Sequence, residues 1–295
     1  MLGTMSKLSE LSDELADAVA SASASIVHLR GTRFPACGTM WAENLAVTVA
    51  HVLGPNDRGV VVLPSGEDAK AEVVGRDRST DLALLKIDAK LPVPSWTDDV
   101  PRVGNLVLAL GLGRGNANRA TLGMVSGVSG GWRTRGGGEI DSYIEVDGTL
   151  PHGFSGGPLV SAEGALFGIN SHRLLRSGVT VPTTTMRRVV EHLSQHGGFR
   201  RGYLGVGVQP VALPKPVAEE LGRARGVLVI SVAAEGPAEQ AGVMLGDVLL
   251  EVDGVALQGL EDLLAALSTR ANVKAGLKLL RAGTSTALEV SIGEK

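Results

Sequence analysis

The sequence predicts a mainly β protein of two domains, an antiparallel sandwich or barrel followed by a small α+β unit. Three observations predict it. The chain is 295 residues long, the length of two ordinary domains. From Ile26 to Pro182, short β-prone runs follow one another closely with Gly or Asp turns between them, as in "LAVTVAHVL", "GVVVLPSG", "LALLKID" and "LVLALG". After Pro182 the apolar period lengthens to that of a helix, and a second set of strands follows. The boundaries this gives are a helical segment over 1–25, a first domain over 26–198 and a second over 199–295.

Composition narrows the function classes. Hydrophobic residues make up 44% of the chain, enough for a sizeable core, and the net charge of −3 argues against nucleic acid or an anionic membrane as the main partner. The single cysteine, Cys37, excludes an intrachain disulfide and a zinc cluster built on cysteine pairs, so neither a metal nor a cofactor is expected. Residues 1–25 carry several acidic side chains and no continuous apolar run, unlike a signal peptide or a membrane span. The chain therefore reads as cytoplasmic, or as periplasmic or cell-envelope if a preceding segment has been removed.

Taken in order, Leu8, Leu11, Leu15 and Val19 recur at helical spacing and predict an amphipathic helix packed on the body. The stretch "GLGRGNANRATLG" contains GxG without a βαβ pattern, so no dinucleotide site is expected there. By composition "GGWRTRGGGE" (130–139) is a flexible loop, and "SAEGAL" (161–166) is a tight hairpin turn. "TTTMRRVVEHLSQHGG" places Met186, Val189, Val190 and Leu193 on one face, with threonines at its start and glycines at its end, predicting a capped helix. A short joint, "FRRG", leads to strands at "YLGVGVQ", "GVLVISV", "GDVLLEVDG", "GLKLLRAG" and "TALEVSI". "GPAEQAG" reads as a helical turn and "GLEDLLAALSTR" as a helix with Leu260, Leu263, Leu264 and Leu267 facing inward.

The stretch "GFSGGPLV" (153–160) places Ser155 between glycines directly before an apolar strand. A serine there is a candidate nucleophile, and the N–H groups of Gly153 and Ser155 can converge on one oxygen as an oxyanion hole. Acyl transfer also needs a base and a carboxylate to orient it. "VTVAHVL" offers His51 at the end of one apolar strand, and "STDLALLKI" offers Asp81 at the entrance to another. The chain order His, Asp, Ser is that of chymotrypsin and differs from those of subtilisin and the α/β-hydrolases.

These segments, with "DGTLPHGFSGGPLV", "LFGIN" and "VTVPT", resemble the motifs of the HtrA (Deg) family of trypsin-like serine proteases. The second domain resembles their PDZ module through "YLGV", "GVLVISVAAEGPAEQAGVMLGDVLLEVDG" and "LKLLRAGTSTALEVSI". The resemblance implies a chymotrypsin-like double β-barrel followed by a small α+β PDZ domain. It implies His51 as base, Asp81 as orienter and Ser155 as nucleophile. It also implies an ATP-independent endopeptidase of protein quality control that acts on unfolded polypeptides as a homo-oligomer, a trimer.

Counting back from Ser155, Thr149 and Leu150 are expected on the floor of the S1 pocket, with Asn170 and Ser171 on the facing wall. No acidic residue stands there, so a small aliphatic side chain fits and a cation is excluded. Asp147 is expected as a buried capping carboxylate and His152 at the rim. In the PDZ-like part, Tyr203, Leu204, Gly205 and Val206 can form a backbone nest for a peptide C-terminus, its apolar last residue lying against Leu260 and Leu264. Phe154, bulky and set between the two oxyanion donors, suggests a resting hole left incomplete until a peptide docks on the second domain. A chaperone or peptide-binding scaffold without proteolysis, on the same fold, is the alternative.

Overall fold

The computed structural model describes residues 7–32, 34–54, 58–113, 117–147, 150–175, 178–197, 202–267 and 270–294. The chain divides into two compact units, residues 1–199 and 200–295. In the first, helix α1 (Lys7–Ser23) precedes β1 (Ile26–Leu29), β2 (Cys37–Ala42), β3 (Leu45–Val49), β4 (Arg58–Val62), β5 (Asp68–Asp77) and β6 (Leu82–Ile87). These six strands close a barrel in the order β1-β2-β3-β6-β5-β4. Next come β7 (Leu106–Leu112), β8 (Asn118–Ser129), β9 (Trp132–Arg133), β10 (Glu139–Ile140), β11 (Tyr143–Val146), β12 (Pro158–Ser161), β13 (Leu166–Ser171) and β14 (Val179–Pro182), then helix α2 (Thr183–His196). Here a six-stranded sheet runs β11-β8-β7-β12-β13-β14 and curls until its edge strands β11 and β14 lie against each other.

The apolar runs are long because several strands are covered on both faces. In β6, Leu85 and Ile87 fill the first barrel, while Leu82 and Leu84 point the other way, onto α2 and the second sheet. In β7, Val107 and Ala109 face the second barrel-like core, and Leu108, Leu110 and Leu112 lie with Ala18 and Ala22 of α1. Only the second half of α1 packs this way: Leu15 and Val19 are partly buried, but Leu8 is 76% exposed. Met186, Val189, Val190 and Leu193 of α2 are all buried, and Gly197 ends the helix at φ 71° with its N–H on the Leu193 carbonyl. No threonine caps its start. Thr185 Oγ1 instead accepts the Asp141 N–H at 2.8 Å, so the hydroxyl is used in a tertiary contact.

The segment 130–139 is not a flexible loop. β9 and β10 form a hairpin, closed by Thr134 N–H on the Gly138 carbonyl at 2.8 Å and docked by the Thr134 hydroxyl on the Ser79 carbonyl at 2.6 Å. Its glycines serve close approach: a Cβ on Gly138 would stand 2.4 Å from the Ser79 carbonyl carbon.

In the second unit, β15 (Gly202–Tyr203), β16 (Val206–Ala212), helix α3 (Lys215–Leu221), β17 (Arg225–Val232), helix α4 (Pro237–Gln240), β18 (Val248–Val252), β19 (Val255–Ala256), helix α5 (Leu260–Leu267), β20 (Lys274–Arg281), β21 (Thr284–Ser291) and β22 (Gly293–Glu294) follow in order. The main sheet runs β16-β17-β18-β20-β21, and α5 lies along β16 at its edge. Leu263, Ala266 and Leu267 of α5 enter the core, whereas Leu260 is 40% exposed and Leu264 half-buried. The expectation that all four leucines face inward is thus corrected. The helix has one narrow core-facing stripe, and Leu260 and Leu264 lie beside it. Most of the "FRRG" joint lies outside the described residues.

Candidate active site

The first barrel brings His51 and Asp81 together through strand register. Antiparallel pairing of β3 with β6 sets Val49 opposite Leu82, so the residues just past the end of β3 meet those just before the start of β6. The Ala50 N–H donates to the Asp81 carbonyl at 2.9 Å, and one step on, His51 Nδ1 lies 2.7 Å from Asp81 Oδ2. The His51 backbone N–H donates to Asp81 Oδ1 at 3.0 Å. Because side chains alternate along a strand, a slip of one residue in this register would point them to opposite faces.

Asp81 sits at φ 60°, in the left-handed region, and is 1% exposed. The preceding turn holds it there. Asp77 Oδ1 accepts the Ser79 N–H at 2.9 Å and the Ser79 hydroxyl at 2.5 Å, and Asp77 Oδ2 accepts the Thr80 hydroxyl at 2.7 Å. The β9–β10 hairpin then braces Ser79 from outside. Gly138→Ala is therefore expected to push the hairpin off Ser79 and loosen this turn. A shift of about 1 Å at the reacting groups costs on the order of 10²-fold, so kcat should fall by up to that factor while far-UV circular dichroism stays unchanged.

Ser155 lies in a loop held from both sides. Its carbonyl accepts the Cys37 N–H at 2.9 Å, from the start of β2 in the first barrel. The next two residues exchange bonds with β13: Gly156 N–H on the Asn170 carbonyl and Asn170 N–H on the Gly157 carbonyl, both at 2.9 Å. Gly153 has φ +99°, and its carbonyl accepts the Leu112 N–H at 2.9 Å and the Cys37 thiol at 3.5 Å. Among the described residues, the N–H groups of Gly153 and Ser155 donate to no protein acceptor. Both are available to a substrate oxygen.

Phe154 does not lie over those donors. Its ring is 1% exposed and packs with Val107, Ala109, Val125, Ile144 and Leu159 in the second core. Gly111 makes the room, since a Cβ there would come 2.6 Å from the ring. The aromatic side chain thus anchors the loop and does not block it.

The expected S1 wall is corrected. Neighbouring residues of a strand point to opposite faces, and Asn170 and Ser171 do so here. Asn170 is fully buried, with Nδ2 on the Pro158 carbonyl at 3.1 Å and Oδ1 accepting the Thr180 hydroxyl at 2.9 Å. Ser171 donates its hydroxyl to Asp81 Oδ2 at 2.6 Å, which makes it a partner of the carboxylate and removes its side chain from a pocket wall. Leu150 is half-buried against the Phe154 cluster and touches Gly178, while Thr149 lies outside the described residues. Asp147 is exposed, not buried, and accepts the Met124 N–H at 2.6 Å. His152 is exposed and stacked between Phe34 and His172.

Cys37 is the remaining group packed behind the loop. It is fully buried, and that burial pushes its thiol up to about 12. The neutral thiol is the form favoured in the fold, so its contribution to stability is fully present below the unfolded thiol's value and is lost as pH rises from there towards about 12. At pH 8 the native protein is expected not to react with a thiol reagent such as DTNB, and the guanidinium-unfolded chain to react with one equivalent. Fast labelling of the native protein would mean that the barrel opens behind Ser155.

In the second unit, Leu204 is buried and its carbonyl accepts the Ala238 N–H at 2.8 Å, while Gly205 has φ +81° and its carbonyl accepts the Ala233 N–H at 2.8 Å. The N–H groups of Leu204 and Gly205 donate to no protein acceptor among the described residues. They stand between Tyr203, the last residue of β15, and Val206, the first of β16, and β16 runs along α5 with its exposed Leu260.

The roles missed in the sequence are those of residues that act on other side chains. Asp77 had a readable signal, because Asp-x-Ser-Thr is an Asx-turn pattern. Ser171 and Cys37 had none, since their roles rest on contacts made across the two sheets.

Comparison with known proteins finds a family for each of the two units. The model of the trypsin-like peptidase domain matches residues 36–169, and that of the PDZ domain matches residues 202–292. A protein of Brucella suis named probable periplasmic serine endoprotease DegP-like is 35% identical over 263 residues, covering 85% of this chain and 50% of that protein. A protein of the same name from Halomonas elongata is 34% identical over 265 residues, covering 85% of this chain and 54% of that one. The chain spans about half the length of the curated relatives it matches. Among solved structures, the serine endoprotease of Yersinia pestis aligns with TM-score 0.70 at 27% identity, over 95% of this chain and 98% of that one. The HtrA-type protease AlgW with decapeptide aligns with TM-score 0.69 at 30% identity, also over 95% and 98%. The chain belongs to the HtrA family of trypsin-like serine proteases that carry a PDZ domain.

Proposed function

We propose that the chain is a serine endopeptidase acting on unfolded polypeptides, with Ser155 as nucleophile, His51 as general base and Asp81 as its orienter. One observation carries this reading: His51 Nδ1 is held at 2.7 Å by a buried carboxylate that is itself fixed by Ser171. That contact puts the proton on Nδ1, so Nε2 is left as the acceptor for the Ser155 hydroxyl proton. The proton then passes to the leaving amine, while Gly153 N–H and Ser155 N–H take the charge that develops on the carbonyl oxygen. A scaffold needs none of these bonds, and nothing in the site favours that alternative.

The PDZ unit is proposed to bind peptide C-termini, with the carboxylate at the Leu204–Val206 backbone and the last side chain beside Leu260 and Leu264. The curated relatives are named periplasmic, which supports the cell envelope for this chain and not the cytoplasm. A homo-oligomer is part of the same proposal: Leu106, Leu122 and Met124, 41–53% exposed on neighbouring strands, form an apolar face for a second copy to cover.

The test is degradation of unfolded casein, with cleavage sites read by mass spectrometry. Cleavage is expected after Val, Ala and Leu, because none of the positions expected to line the pocket, Thr149, Leu150, Asn170 and Ser171, is a carboxylate that could pair a cation. Intact casein, or cleavage mainly after Arg and Lys, would overturn the reading or its specificity respectively.

A further inference from the structure

Two cavities open beside the base, and both are walled by arginine. One, of about 180 Å³, is lined by Ala50, His51, Leu53, Arg78, Asp81 and Arg173. The larger, of about 770 Å³, shares Arg78 and Arg173 with it and adds Arg135, Tyr143 and Leu174 among others. The two therefore meet at Arg78 and Arg173, which line the smaller cavity together with His51.

None of the three guanidinium groups is spent on the fold. Arg78, Arg135 and Arg173 are exposed, and among the described residues none is in a salt bridge, although other arginines on the surface do form them, such as Arg187 with Asp98 and Arg188 with Asp141. The carboxylate that lines the smaller cavity, Asp81, is committed to His51 and Ser171 and is 1% exposed. Glu145 stands beside Tyr143, and burial together with its charge pushes the Tyr143 hydroxyl above the usual tyrosine range. Asp77 is turned into its own buried Ser79–Thr80 turn.

Three like charges around one trench repel each other and raise the local concentration of anions. Each presents a planar fork of donors that matches a carboxylate. Leu174, Leu175 and the Tyr143 ring supply an apolar floor between them. We infer that Arg78, Arg173 and Arg135 form a subsite that selects polypeptide substrates with an acidic side chain within a few residues of the cleaved bond. This rests on the protease reading above and adds the substrate class to it. Basic flanking residues are disfavoured by the same field.

The experiment uses the full chain and quenched-fluorescent peptides with Val before the scissile bond. Glu, Gln or Lys is scanned through the four positions before that bond and the three after it. At one or more positions the Glu peptide is expected to exceed its Gln counterpart in kcat/KM by about 5- to 30-fold at low salt, as one or two partly exposed ion pairs allow. The Lys peptide should fall below both, and the spread should shrink as salt rises from about 0.05 to 0.5 M. In the Arg78→Gln/Arg173→Gln double variant the Glu/Gln ratio should drop to about one, and Arg173→Glu should turn the preference toward Lys. Cleavage of the Gln peptides with no Glu advantage at any position overturns this inference alone. So does a Glu advantage that survives in the double variant. If no peptide is cleaved and Ser155 takes no fluorophosphonate label, the protease reading falls and the inference with it.

Discussion

Ser155→Ala is expected to lower peptide hydrolysis by about four to six orders of magnitude, the loss typical when one member of a coupled triad is removed. The fold should be unaffected. What holds the 153–157 loop is its backbone and Phe154: Ser155 carbonyl to Cys37, Gly156 and Gly157 to Asn170, and the buried aromatic ring. None of these uses the Ser155 hydroxyl. The residual rate should come from Gly153 N–H and Ser155 N–H, which the substitution leaves in place. Casein cleavage within tenfold of wild type would remove Ser155 from the mechanism.

The second large effect is expected from Asp81→Asn, about 10⁴-fold in kcat. Asp81 accepts three hydrogen bonds, from His51 Nδ1, from the His51 backbone N–H and from the Ser171 hydroxyl. An amide of the same shape whose oxygen stays on the His51 backbone N–H keeps that one bond. It must then present its NH₂ to the imidazole, which forces the proton onto Nε2 and leaves Ser155 without an acceptor. Ser171→Ala should show the smaller form of this effect. It removes one support from Asp81 Oδ2 and leaves the His51 tautomer intact, so kcat should drop well short of the Asp81→Asn value while KM holds. Equal losses for the two variants would contradict the separate roles assigned to the carboxylate and its hydroxyl partner.

The parts of this site that were legible in the sequence are those tied to strand ends. His51 follows an apolar run and Asp81 precedes one, and antiparallel register alone carries them together. Ser155 stands before β12 in a glycine-rich turn, and local backbone chemistry marks it. What was not legible depends on which distant side chain fills which space. Phe154, judged by its neighbours in the chain, stands between two oxyanion donors; in the fold it points into a core where Gly111, forty-odd residues upstream, has left out a Cβ. The composition of 130–139 reads as loop because glycine is usually a flexible residue, yet here glycine permits contact with Ser79. Asn170 and Ser171 could not both have lined one wall, since adjacent strand residues face apart, and that alternation was available without coordinates.

The same limits apply to α5. Leu260, Leu263, Leu264 and Leu267 share a helical period, but the width of the buried stripe depends on how closely the neighbouring sheet approaches. Where β16 leaves Leu260 and Leu264 uncovered, the helix has the two leucines on which the proposed peptide contact rests.

The central claim is that His51 and Asp81 activate Ser155 within a framework that the two sheets hold in place. Its most direct test is a fluorophosphonate adduct mapped by mass spectrometry on the intact chain. The account predicts one adduct, on Ser155, absent in Ser155→Ala and formed far more slowly in Asp81→Asn. A folded wild-type protein that takes no adduct, or takes it on another residue, would contradict it.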